Sequence, residues 1–192
     1  MIKKQIRELT WQERRGVDPD RIGENLKELR KRNNLTQSDL QKLLGLNYRT
    51  TISNWERARC IPTIENFVRL SVVYGISLQD LILGYAPDLS DHKDRSFYKC
   101  DADIKDFYID KINVGKTLKH YRNIHCVVDA SGIHDLTLDR LQGIFEDSYE
   151  TWSKEAIYAC EHGKSLPSTQ HLYYLSRLYG IKMDDLVRIT WF

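Results

Sequence analysis

Apolar residues along this chain return every three or four positions, the interval that places them on one face of a helix. Ile22, Leu26 and Leu29 set the first such run, which Asn33-Asn34 ends. Thr36, with Asp39 three residues on, reads as an N-cap with a short-armed capping box opening a second helix, whose buried face is Leu40, Leu43 and Leu44. Gly45 fits the left-handed residue that closes it. A third helix is expected from about Tyr48 to Arg57, with Ile52 and Trp55 turned inward. Pro62-Thr63 opens a fourth that buries Ile64, Phe67, Leu70 and Val73 and stops at Gly75, and Ser77 with Asp80 caps a short fifth. No segment shows the alternation of a half-buried strand, so the expected class is all-α.

The pattern is written twice. WERARCIPTIENFVRLSVVYGISLQDL, from Trp55, aligns without a gap on CEHGKSLPSTQHLYYLSRLYGIKMDDL, from Cys160. Glu56 falls on Glu161, Pro62 on Pro167, Tyr74-Gly75-Ile76 on Tyr179-Gly180-Ile181, and Asp80-Leu81 on Asp185-Leu186. The starts also agree: Asp18, Gly23, Leu26, Lys27 and Arg30 fall on Asp110, Gly115, Leu118, Lys119 and Arg122. Between these anchors the second copy is longer, by an insert containing HCVVDASGIHD. A self-similar pattern of this kind reads as one structural unit used twice. The expected organisation is an N-terminal arm or helix at 1–21, a five-helix domain at 22–84, an acidic linker at 85–111 and a second five-helix domain at 112–192. A short helix near Ser96–Lys99 is conceivable inside the linker.

Charge separates the two copies. Residues 1–21 carry six Lys/Arg against four Asp/Glu and residues 22–84 nine against six, whereas residues 85–111 carry five against seven and residues 112–192 nine against ten. The overall net charge of +2 says little, but the basic half is where a nucleic-acid surface belongs. No apolar run is long enough to span a membrane, and MIKKQIRELTWQERR lacks the apolar stretch of a secretory signal, so a cytoplasmic protein is expected. Cys60, Cys100, Cys126 and Cys160 are far apart and form no CxxC pair, so free thiols are expected. His120, His125, Cys126 and His134 lack paired ligand spacing, so no metal is expected. Nor is there a glycine-rich phosphate loop or a nucleophile elbow; no cofactor and no enzymatic activity are expected.

The third helix carries the chemistry. Its outward face presents Arg49, Thr50, Ser53 and Asn54. A guanidinium matches guanine, an amide matches adenine and hydroxyls serve either, whereas a merely solvated helix favours Glu and Lys. Arg57 and Arg59 follow where a loop can hold phosphates, and Arg30, Lys31 and Arg32 add to the same field. Ser53 can alternatively cap backbone groups, Thr51 can face the turn, and Arg69 reads as a solvated charge.

Leu35-Thr36-Gln37, Ile52-Ser53, Trp55-Glu56, Pro62 and Tyr74-Gly75-Ile76-Ser77-Leu78 together resemble the Cro/phage-repressor (xenobiotic-response-element) type of helix-turn-helix domain. The resemblance implies two tandem lambda-repressor-like domains, the second degenerate. It implies base contacts from Arg49, Thr50, Ser53 and Asn54, and backbone contacts from Gln37, Tyr48, Arg57 and Arg59. Trp55 matches a core position. Ala58 stands where the family usually has glycine, and Gln41 where it usually has alanine. In the second copy the matching helix, near Trp152–Glu161, reads WSKEAIYACE, and five acids against one lysine between Glu146 and Glu161 argue against phosphate contact. The expected protein is a transcriptional regulator that binds double-stranded DNA as a homodimer, with the second domain dimerising or binding a protein partner. The competing expectation is an antitoxin-like or sensor-like interaction module. Trp191-Phe192 either pack on their own domain or leave a patch for a partner.

Overall fold

The computed structural model describes residues 3–84, 107–146, 150–187 and 189–191. In chain order the elements are β1 (Lys4–Gln5), α1 (Trp11–Arg14), α2 (Pro19–Arg32), α3 (Gln37–Leu43), α4 (Thr50–Glu56), α5 (Ile64–Tyr74) and α6 (Leu78–Leu83). They continue with β2 (Phe107–Ile109), α7 (Lys111–Ile124), β3 (His125–Asp129), β4 (Gly132–Asp135), α8 (Leu138–Glu146), α9 (Lys154–Glu161), α10 (Thr169–Tyr179), α11 (Met183–Leu186) and β5 (Ile189–Trp191). The described residues group into two compact units: one begins at Val17, and the other joins the residues up to Gly16 to those from Ile109 to Ile189. No helix among them is long and apolar enough to cross a membrane.

The first unit holds α2 to α6. Asp18 caps α2, its carboxylate accepting from the amides of Asp20 and Arg21, and Pro19 supplies the preset φ of the first turn, so the helix starts three residues before Ile22. The Thr36–Asp39 capping box forms as expected. Gly45 takes φ +64 and closes α3, and Gly75 takes φ +65 after α5. Ile22, Leu26, Leu29, Leu40, Leu44, Ile52, Trp55, Phe67, Leu70 and Leu81 make a continuous core; each aliphatic member contributes about 1.5–3 kcal/mol by leaving water. Two positions differ from expectation. Leu43 is 42% exposed, because α3 turns its Leu40–Leu44 edge inward. Val73 is only half-buried, and Val68 and Val72 take the inner positions of α5. Asn25 Nδ2 donates to Leu81 O at 3.1 Å, tying α2 to α6 inside this core.

The second unit corrects the all-α expectation. It is mainly helical, but the insert HCVVDASGIHD is a hairpin of β3 and β4, with Cys126 opposite Asp135 and Val128 opposite Ile133. Its register escaped the sequence reading because Cys126-Val127-Val128 is a contiguous apolar run without alternation. β1 extends the hairpin as a parallel strand, Lys4 opposite His125 and Gln5 opposite Cys126, giving the order β1-β3-β4. The expected arm boundary at 21/22 therefore falls at 16/17 instead, and the arm is part of this unit. Thr10 and Glu13 form a capping box at the start of α1, and Leu9 is buried. β2 pairs with β5. The conceivable linker helix at Ser96–Lys99 and the packing of Trp191-Phe192 lie outside the described residues and side chains.

Candidate nucleic-acid interface

The position of α4 is set by a close approach and an ion pair. At Gly23, on α2, a β-carbon would stand 2.7 Å from the carbonyl oxygen of Trp55, so only glycine lets the two helix backbones meet. Ile52 and Trp55 fill the core below. Arg30, at the end of α2, grips Glu56: Nε donates to Oε1 at 2.5 Å and Nη2 to Oε2 at 3.0 Å, while Nη1 donates to Leu35 O at 2.8 Å. Both side chains are nearly enclosed, 11% and 5% exposed. Glu56 thereby turns its charge away from the solvent face of α4, and the carboxylate holds the Arg30 pKa above its ordinary value. Gln37 Nε2 adds a third donor to Glu56, at 2.9 Å, linking the start of α3 to the end of α4.

This geometry leaves one polar face. Thr50, Ser53, Asn54 and Arg57 lie three and four residues apart, opposite Ile52 and Trp55. Arg49 and Thr50 are exposed, Ser53 and Asn54 half-buried, and Thr51 is half-buried as well. The N-cap position, Arg49, makes no side-chain cap bond, and among the described residues no side-chain hydrogen bond engages Arg49, Thr50, Ser53 or Asn54, so Ser53 is not spent on capping. Tyr48 is 71% exposed beside the N-terminus of the helix. Arg57 and Arg59 are exposed beyond its C-terminus and carry no ion pair among the described residues. Their loop turns at Ala58, a non-glycine residue at φ +54. Gln37 sits at the edge of the same face with its amide nitrogen on Glu56.

Three cations expected at the surface are engaged elsewhere. Arg30 belongs to the enclosed pair, and Arg32 pairs with Glu28 one turn away, leaving Lys31 exposed. Arg69 is half-buried and donates to Leu44 O at 3.2 Å, covering the C-terminal end of α3. A solvated reading of Arg69 missed this because the contact joins residues 25 apart in the chain. The Arg30–Glu56 pair did have a sequence signal: the same two residue types recur at Arg122 and Glu161.

The second unit repeats these contacts. Arg122 Nε donates to Glu161 Oε1 at 2.6 Å, Nη2 to Oε2 at 2.9 Å and Nη1 to Leu136 O at 3.1 Å. At Gly115, on α7, a β-carbon would stand 2.5 Å from Cys160 O. Asp110 caps α7 as Asp18 caps α2. Gly163 turns at φ +68 after α9, where Ala58 turns after α4. The outward chemistry differs. Lys154 pairs with Asp139 at 2.5 Å, and Tyr158, half exposed, stacks on His162 with centroids 3.8 Å apart. Glu161, counted above among surface acids, is enclosed in its ion pair, so α9 is less acidic outwardly than its sequence suggests.

Known proteins bear on the first unit. Residues 23–87 match a family model described as a helix-turn-helix domain. The chain thus contains a helix-turn-helix domain, consistent with the Cro/repressor type, and that class of domain binds DNA. The chain matches no curated protein and no solved structure.

Proposed function

We propose that this protein is a sequence-specific transcriptional regulator, not an enzyme, and that α4 enters the major groove of double-stranded DNA. The observation that carries the reading is a single helix face of Arg49, Thr50, Ser53 and Asn54, whose side chains make no hydrogen bond among the described residues, above a fully packed inner face. Bases are read by these four; the backbone is held by Gln37, Tyr48, Arg57 and Arg59. Drawing Glu56 inward removes the one carboxylate that would oppose phosphates on this face. Gln37 contacts the backbone with the part of its amide not given to Glu56. A short reading helix makes few base contacts, so two copies on a two-fold operator supply the affinity.

The second unit is, in this reading, a degenerate copy of the same fold that no longer reads bases. The shared ion pair, glycine contact and caps support common descent of the two. At the places in register with Thr50, Ser53 and Asn54 stand Glu155, Tyr158 and Ala159, which lack the amide and substitute a charge that phosphates repel. Its role is dimerisation or capture of a protein partner, and the protein works in the cytoplasm. The direct test is selection of bound duplexes from a random pool with the full chain, followed by titration of the recovered site. An enriched motif whose binding weakens on Arg49→Ala supports the reading; no enrichment, or equal binding by the Arg49→Ala chain, overturns it.

A further inference from the structure

Each unit secures the approach to its outward helix with a glutamine at the same place. Arg30 Nη1 donates to Leu35 O and Arg122 Nη1 to Leu136 O, which sets the two copies in register. One residue on, Thr36 and Thr137 each accept from the amide three positions later, Asp39 N at 3.1 Å and Arg140 N at 3.2 Å. Six residues beyond the two leucines stand Gln41 and Gln142. Gln41 Nε2 donates to Leu46 O at 2.5 Å, and Gln41 O accepts from Leu46 N at 3.0 Å, so one residue grips both backbone groups of the other. Gln142 Oε1 accepts from Lys154 N, the first amide of α9, at 3.1 Å. In the first unit the grip has a particular consequence. Asp18, Thr36, Thr63 and Ser77 cap α2, α3, α5 and α6 with their side chains, whereas Arg49 makes no such bond for α4. Asn47, Tyr48 and Arg49 are exposed. The chain's course into α4 is thus set just ahead of them, by the bonds of Gln41 to Leu46 and of Arg69 to Leu44 O. A guanidinium pairs bidentately with guanine only when held within about 0.5 Å of the productive geometry.

We propose that Gln41 is a positioning residue for base reading: without touching DNA, it ties the turn between α3 and α4 so that Arg49 meets its base pair in one geometry. The proposal rests on the proposed function and adds a determinant of its specificity. Gln41→Met in the full chain keeps the volume and removes the donor to Leu46 O; Gln41→Leu serves the same end should the first variant unfold. Amide exchange of the free protein reads the hold. Protection of the Leu46 amide should fall about tenfold, with the core amides of Leu40 and Phe67 unchanged. Binding reads the consequence. On the site selected by the unaltered chain, the penalties for single-base changes at the pairs where Arg49→Ala relaxes preference should shrink by about tenfold. Affinity for a random duplex and its salt dependence should stay within about twofold, because Arg57 and Arg59 are not moved. A merely structural glutamine would weaken every sequence alike, and that result overturns the proposal. Undiminished penalties, or undiminished Leu46 protection, overturn it too. Gln142→Met is the control: it should loosen the Lys154 amide and leave base preference as it was, and a changed preference would show that general loosening, not the Gln41 bond, moves the motif. If the unaltered chain selects no motif, the proposed function fails and the effect on bases with it, while the Leu46 amide still decides whether Gln41 holds the turn.

Discussion

At the scale of residues, the groups on α4 separate into readers and holders. Arg49→Ala and Asn54→Ala are each expected to weaken binding to the selected site by about 1–3 kcal/mol and to relax preference at particular base pairs, seen by titrating single-base variants of the site. Arg57→Ala and Arg59→Ala should instead weaken all sequences alike and lower the slope of log affinity against log salt by about 0.9 each. A loss confined to one sequence would contradict their assignment to phosphates. Ala58 offers a stability test in the same loop. At φ +54 its β-carbon opposes the backbone, and glycine removes that cost while adding freedom to the unfolded chain. The balance predicts that Ala58→Gly raises stability by roughly 0.5–1 kcal/mol, read from the urea midpoint. The converse, Gly163→Ala, should destabilise, since φ is +68 there and a β-carbon would stand 2.9 Å from Ile112 Cα.

At the scale of elements, the angle of α4 depends on one enclosed ion pair. Removing Glu56 leaves the Arg30 guanidinium without its partner in a site 11% exposed, so Glu56→Ala should cost about 3–5 kcal/mol in denaturant unfolding. Much of this was legible in sequence. The five helices of residues 22–84, their caps at Thr36 and Ser77 and the inward Ile52 and Trp55 follow from periodicity and capping chemistry, which are local. What escaped is what long-range pairing decides. The β3–β4 hairpin has no alternating signal, and the two-residue β1 has no hydrophobic pattern of its own; it becomes a strand because β3 offers an edge. Leu43 was assigned inward because periodicity gives a face but not which edge of it a short helix presents. The polar candidates were legible as types, but only the packed structure separates Arg30 and Arg69, bonded to Glu56 and Leu44 O, from the exposed Arg57 and Arg59.

At the scale of the whole molecule, the two units should differ in acid. No histidine lies between Val17 and Gly84, whereas His125 and His171 are buried in the second unit. Burial lowers both pKa values from the ordinary 6.5; the Tyr121 carbonyl opposes the shift at His125, and the Glu150 carboxylate, 3.9 Å away, opposes it at His171. The unfolded chain therefore binds more protons than the folded one just below pH 6.5. Stability from these groups is present above that pH and lost as pH falls toward the folded values. Amide exchange at pH 7 and pH 5.5 should show β3 and α10 losing protection while α2 to α6 hold theirs, and equal loss in both units would contradict this. Deleting residues 1–16 should cost the second unit at least about 3 kcal/mol through the buried Leu9 and the lost backbone bonds, read in the same experiment. The arm also sets an order of events during translation. It is made before its seat, which includes Leu178, more than 160 residues later. At about 5–20 residues per second it waits on the order of ten seconds with its strand edge bare. In that interval the helix-turn-helix domain emerges complete, so the unit that encloses it in sequence can close only after it.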